Sequence, residues 1–254
     1  MFGLDPVVFW AAMAVTLFAG FVKGAVGFAM PMIMMSVFGS MMPATMALAG
    51  LILPTLVTNI GQAFRWGPAE AWAATACYRW HIGAVALFIL VSAPFAAMIP
   101  QGAMYLMLGA PITAFALWQL SGRPLALPIR HQRRAEVVSG VIGGLYGGIS
   151  GIWGPPLIVY LLSVGVPKRE QVLVQGVVFL LGAVVLSVAH LFTGILSGPG
   201  LAFSAALIVP AVIGLRLGFA LQDRLDVVQF RRWTLVLLVL TGANLIRRAV
   251  QLGI

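Results

Sequence analysis

Long apolar runs alternate with short polar gaps along the whole chain. Cutting at charges and Gly/Pro clusters gives eight hydrophobic blocks, at about 7–38, 43–64, 80–99, 103–120, 136–166, 170–193, 200–221 and 232–250. A helix crosses a bilayer with roughly 20 apolar residues. The first and fifth blocks, at about 30 residues, are longer than one crossing needs. Both are also interrupted by clustered glycines, so neither reads as a straight helix. The pattern predicts an all-α integral membrane protein.

The chain repeats. The first block carries GFVKGAVGFAMP, with Gly20, Gly24 and Gly27. The fifth carries GGISGIWGPPLI, with Gly147, Gly151 and Gly154. Each pair is offset by 127 residues, half of the 254. The same offset aligns Arg65-Trp66-Gly67 with Phe192-Thr193-Gly194, where the second block of each half ends. Internal repeats of this kind are common in transporters. The expectation is one membrane domain of two homologous halves, 1–127 and 128–254.

Composition agrees with a lipid solvent. Hydrophobic residues make up 61%, charged residues 8%, and the mean hydropathy is +1.06. A soluble domain carries about 25% charged residues. The net charge of +9 would suggest nucleic acid in a soluble protein. Here most basic residues fall in the gaps between blocks, where they set membrane orientation, and no nucleic-acid partner is expected. The single Cys77 excludes an internal disulfide. The segment 1–5 has no basic n-region, so the first block is expected to stay in the mature protein.

The positions of these charges constrain topology. Arg65 and Arg79 lie in the 2–3 gap, and Arg123, Arg130, Arg133 and Arg134 in the 4–5 gap. Lys168 and Arg169 lie in the 5–6 gap, Arg224, Arg231 and Arg232 in the 7–8 gap, and Arg247 and Arg248 in the tail. Eight simple crossings scatter them over both sides. If the fifth block enters and returns as a re-entrant hairpin, all four gaps share one side and only the tail arginines oppose them. The positive-inside rule prefers that arrangement. Treating the first block alike makes the halves inverted repeats, each a broken Gly/Pro hairpin plus three transmembrane helices, with both termini outside.

Irregular backbone in a membrane is tolerated only inside protein or beside a water-filled cavity. The breaks are expected around Gly20 and Pro31 in one half, and Gly147, Pro155 and Pro156 in the other. Helix N-termini at such breaks suit an anion. The competing reading of the same glycines is close helix packing. Lys23 is the one charge in the first block, and a lysine in a membrane is expensive. It is the candidate counter-charge for an anion, unless it snorkels to an interface. Its partner at the 127-residue offset is Ser150. Candidate substrate contacts are Lys23, Ser150, Asn59, Gln175, Gly24, Gly27, Gly151, Gly154, Trp153 and Arg216. The hairpin tips are expected to meet near the midplane. For Arg216 an interfacial position is the alternative. All six acids fall in gaps or at block ends, which fits potential-driven export of an anion.

At the glycine motifs the chain resembles the sulfite exporter TauE/SafE family of bacterial transporters. The resemblance rests on GFVKGAVGFAMP, on GGLYGGISGIWGPPLIVY and on the following VPKREQ, and covers nearly the whole chain. It implies a bacterial inner-membrane permease exporting sulfite, sulfoacetate, taurine-related sulfonates or similar anions. Phe28 and Trp153-Gly154-Pro155 stand where the family often has a denser glycine run, and at these positions the chain departs from the family's pattern in the residues that shape the pocket. A fixed anion suits a lysine and helix N-termini. A passive anion channel is the nearer alternative. Gly148-Ile149-Ser150-Gly151 also spells the GxSG of rhomboid-type intramembrane proteases, with His190 as a remote base. No HExxH, P-loop or dinucleotide fingerprint occurs, so no metal, cofactor or enzyme activity is expected. A homodimer is a partner expectation from general habit.

Overall fold

The computed structural model describes residues 3–123, 126–221 and 227–253. Arg224, placed above in the 7–8 gap, lies outside them. The described residues form helices and no strand. In chain order they are α1 (Pro6–Val26), α2 (Met30–Phe38), α3 (Ala44–Ala63), α4 (Pro68–Cys77), α5 (Arg79–Ser92), a 3-10 turn (Ala93–Ala97) and α6 (Gln101–Leu120). There follow α7 (Gln132–Ser150), α8 (Gly154–Ser163), α9 (Lys168–Phe192), α10 (Gly198–Ala206), α11 (Ile208–Leu221) and α12 (Val227–Gln251). Seven segments are long and apolar enough to cross a membrane. The expected all-α membrane class is met.

Both over-long blocks are broken helices. α1 starts at an Asp5 cap whose Oδ1 accepts the Val7 N–H at 2.7 Å, with Pro6 in the first turn. It stops at Gly27, whose φ of 92° needs a residue without Cβ. The Gly27 N–H donates to the Lys23 carbonyl at 2.7 Å. α7 stops the same way: Gly151 has φ 71° and donates to the Gly147 carbonyl at 2.7 Å. Prolines then open the next helices, Pro31 in α2 and Pro155-Pro156 in α8. Gly20, expected at the break, instead lies inside α1. Cap to cap, Gly27 and Gly151 stand 124 residues apart, three short of the motif offset. In this register Lys23 matches Gly147, and Ser150 matches Val26.

The structure divides into two compact units that interleave along the chain. The first holds Met1–Pro54, Ala97–Arg123 and Ile195–Ile254, and the second holds Thr55–Ala96 and Pro124–Gly194. The boundary inside α3 falls at Pro54. That proline has no N–H for the Gly50 carbonyl. Ser204 Oγ compensates, donating to Gly50 O at 3.4 Å and accepting the Leu53 N–H at 3.1 Å.

Glycines carry the tightest packing in the first unit. A Cβ on Gly20 or Gly24 would overlap the Ala211 or Leu215 carbonyl of α11. Reciprocally, a Cβ on Gly214 or Gly218 would overlap the Leu17 or Phe21 carbonyl of α1. α6 and α12 cross at Gly109 and Gly242. Apolar faces gain little by leaving lipid for one another, so close backbone approach supplies much of the attraction. Gly24, an expected substrate contact, therefore serves packing here.

The second unit repeats the device between α7 and α5. Cβ atoms on Gly140 and Gly144 would stand 2.7 Å from the His81 and Val85 carbonyls, and one on Gly148 2.6 Å from that of Ile89. The same contact buries Glu136, which charge patterning had left at a block end. Its Oε1 accepts the His81 N–H at 3.1 Å. Tyr78, the residue before α5, makes no side-chain cap of its own. Glu136 thus caps α5 from a neighbouring helix, where its charge also favours the helix N-terminus. α4 was not anticipated either, because Arg65, Glu70 and Arg79 place its sequence in a polar gap.

Two stability outcomes are expected. Gly214→Leu forces overpacking against the α1 backbone and costs about 1–3 kcal/mol or more, whereas Gly83→Ala, with open space around it, is neutral or stabilising by up to about 1 kcal/mol. Glu136→Leu strands the buried His81 N–H and costs about 1–3 kcal/mol, and Glu136→Gln, which keeps an acceptor oxygen, recovers most of it. Thermal unfolding of detergent-solubilised protein, followed by size-exclusion fluorescence, measures all four.

Candidate functional site

In the first unit the candidate centre is the last turn of α1. Lys23 is 2% exposed, the largest fully buried side chain in the protein's described part. A cation there sits at the carbonyl end of the helix, where the macrodipole favours positive charge. Immediately beyond, Gly27 turns the chain and Ala29 takes φ 80°, the single non-glycine residue with positive φ among the described residues. Such a conformation costs an L-residue about 1–2 kcal/mol. Ser36 of α2 adds a buried hydroxyl without a hydrogen-bond partner among the described residues. Arg216 is on the exposed side of α11, away from the glycines that meet α1.

In the second unit the polar groups of α3 form a stripe. Thr55, Thr58, Asn59 and Gln62 fall at i, i+3, i+4 and i+7 on one face, and all four are buried. Of these four, sequence reasoning had singled out only Asn59 as a candidate contact. The threonines were legible from the spacing. Gln62 Nε2 donates to the Val172 carbonyl of α9 at 3.3 Å. Gly176 then lets α9 approach, since a Cβ there would be 2.9 Å from the Ala63 nitrogen. Gln175, beside it, is 6% exposed.

The second break is sealed by its own side chains. Ser150 Oγ donates to the Tyr146 carbonyl at 2.6 Å and accepts the Ile152 N–H at 3.0 Å. Where α7 ends, Gly148 loses its helical donor. His190 Nε2, from α9, stands 2.9 Å from that carbonyl, and His190 Nδ1 stands 3.1 Å from Thr193 Oγ1. Both ring nitrogens of His190 are thereby engaged away from Ser150, and no nucleophile–base pair forms. Trp153 folds back into a slot of glycines. A Cβ on Gly147 would stand 3.0 Å from its Cβ, and one on Gly182 2.8 Å from its indole nitrogen. The ring meets Phe179 edge-on at 6.3 Å. Gly154 also packs on Phe179, at 3.1 Å for an added Cβ. Trp153 and Gly154 are thus packing residues in this unit.

Anion binding at helix starts is limited by the prolines. A helix leaves four N–H groups open at its beginning. At α8 these positions are Trp153, Gly154, Pro155 and Pro156, so only two carry an N–H. At α2 they are Ala29, Met30, Pro31 and Met32, and three do. Neither helix has a side-chain cap. The first break carries the cation and has one proline, rather than two, among these positions.

A separate cavity of about 430 Å³ is lined by Glu70, Cys77, Tyr78, Arg169, Glu170 and Leu173 among others, and holds none of the candidate residues. The Tyr78 hydroxyl donates to Glu170 at 3.2 Å. Burial first, and the neighbouring Glu170 charge second, push that hydroxyl above the ordinary tyrosine range. With two carboxylates in its wall, the cavity is a poor home for an anion. Among the described residues no cluster of His, Cys, Asp and Glu could hold a metal.

Residues 12–245 match the family model for the sulfite exporter TauE/SafE. No curated protein and no solved structure matches the chain. The match spans both glycine motifs and every candidate residue from Lys23 to Arg216. With seven segments fit to cross a membrane, the chain belongs to the sulfite exporter TauE/SafE family of membrane transporters for sulfur anions.

Proposed function

We propose that the chain is a secondary carrier exporting a small sulfur oxyanion or sulfonate, such as sulfite, sulfoacetate or a taurine-related sulfonate, across a bacterial inner membrane. The observation that carries this reading is the burial of Lys23 in the last turn of α1, within the family match. A lysine deep in a membrane segment needs a functional or electrostatic reason, and a fixed anion supplies one. In the second unit, taken by itself, the stripe of Thr55, Thr58, Asn59 and Gln62, with Gln175 of α9, is proposed as a set of hydrogen-bonding groups for the anion.

The carrier is proposed to be an inverted duplication. Supporting this, α1–α6 and α7–α12 follow the same order: a long helix, a short one after a Gly/Pro break, a long helix, a short–long pair and a final long helix. The proposed orientation puts the gaps rich in arginine in the cytoplasm and both termini outside.

Reconstituted protein is expected to exchange labelled sulfonate or sulfite by counterflow. Lys23→Gln should lower the exchange roughly tenfold or more, the worth of a charge-assisted hydrogen bond, and Lys23→Arg should retain more of it. Undiminished exchange in a folded Lys23→Gln protein would remove Lys23 from the site. Uptake without counterflow would mark a channel.

Orientation is read from Cys77, the single cysteine, which is exposed at the end of α4. A membrane-impermeant maleimide is expected to spare it in intact cells and label it in inside-out vesicles. The opposite pattern reverses the proposed topology.

A further inference from the structure

The segment before α7 forms a surface groove that transport of a sulfur anion does not use. Its volume is about 800 Å³, and Arg130, His131, Gln132, Arg133, Arg134 and Val138 contribute to its wall. Three arginines thus contribute to one groove, and among the described residues no carboxylate lines it. Glu136, the acid nearest in sequence, is turned away and committed to the His81 N–H.

The groove is held in shape. The Arg133 guanidinium lies over the Trp80 ring at 4.3 Å, and Arg79 approaches the same ring at 5.8 Å. Stacking uses the face of a guanidinium and leaves its N–H edge to bind. The incoming strand is tied down where the Leu127 N–H donates to Ser163 Oγ at 2.8 Å. Trp80 is 43% exposed, as suits an indole at the level of lipid headgroups.

The charge sits at the foot of an apolar ridge. Val138, Ile142 and Leu145 are exposed at successive turns of α7, running from the groove along the helix. A small soluble anion has no use for such a ridge, whereas an acyl chain does. We propose that the groove binds the phosphate headgroup of an anionic phospholipid, with its acyl chains laid along Val138, Ile142 and Leu145. Basic pockets beside membrane helices on the cytoplasmic side are suited to this chemistry.

The test is a titration of the purified full-length protein in neutral detergent with phosphatidylglycerol, read by native mass spectrometry. Saturable binding is expected, with phosphatidylcholine much weaker. Arg130→Gln and Arg134→Gln should each weaken it about five-fold, the factor for one basic side chain at an anionic surface. Arg247→Gln, the same charge loss at an exposed position of α12, should leave it unchanged. Both substituted arginines are exposed, and weakening in either variant supports the proposal. Equal binding of phosphatidylcholine, equal weakening by Arg247→Gln, or unweakened binding in both groove variants would each overturn the proposal. Full displacement by millimolar inorganic phosphate would make the groove a site for free anions and overturn its assignment to lipid.

Discussion

A backbone carbonyl or amide in hydrocarbon has no water to turn to, so each interruption of a helix must be closed by the protein itself. That requirement explains the least regular parts of this chain. Pro54 deprives Gly50 of a donor, and the Ser204 hydroxyl replaces it. α7 ends and leaves the Gly148 carbonyl open, and the His190 imidazole fills the gap. α2 ends at Gly39, whose carbonyl accepts from the Arg248 guanidinium at 2.9 Å. α5 begins without a cap of its own, and Glu136 reaches across from α7. In each case a polar side chain from a different helix repairs a backbone defect. The repair also fixes where that helix can sit.

The second constraint is distance. Helices that exchange lipid for one another gain little from apolarity alone, so they gain from contact. Gly20, Gly24, Gly214 and Gly218 bring α1 and α11 together, and Gly140, Gly144 and Gly148 do the same for α7 and α5. Two demands therefore fall on the same sequence motifs. Glycine at a helix end permits positive φ, and glycine within the helix permits contact. Gly27 and Gly151 answer the first demand, and the earlier glycines of each motif answer the second.

That double use sets what was legible in the sequence. The eight apolar blocks were plain, because burial in lipid leaves few charges to blur their edges. The breaks were plain too, because glycine followed by proline cannot continue a helix. Which glycine turned the chain was not, since glycines three and four residues apart align equally well in more than one register. The motif offset of 127 residues consequently paired Lys23 with Ser150, one helical turn away from the cap-to-cap register. Glu136 was unreadable for another reason: its burial depends on where α5 begins, and α5 comes from a distant part of the chain. The interleaving of the two compact units could not be read from a linear division into halves. The stripe of Thr55, Thr58, Asn59 and Gln62 was readable, and was missed because threonine in an apolar helix draws no attention beside an amide.

Compared cap to cap, the two breaks have exchanged bulk. The first has Lys23 four residues before its capping glycine and Ala29 two residues after it. The second has Gly147 and Trp153 at those positions. In the second break the arrangement is sterically closed: the indole folds over Gly147, where an added Cβ would already stand 3.0 Å from the Trp153 side chain. A long cation at position 147 and a large ring at position 153 therefore exclude each other. A small residue at position 29 removes that conflict from the first break, where position 23 carries a lysine. The same local scaffold thus has two stable fillings, one sealed by an aromatic ring and one carrying a charge. The cation of the proposed anion site thus goes with a small residue at position 29, and the tryptophan marks the break that has no room for such a side chain.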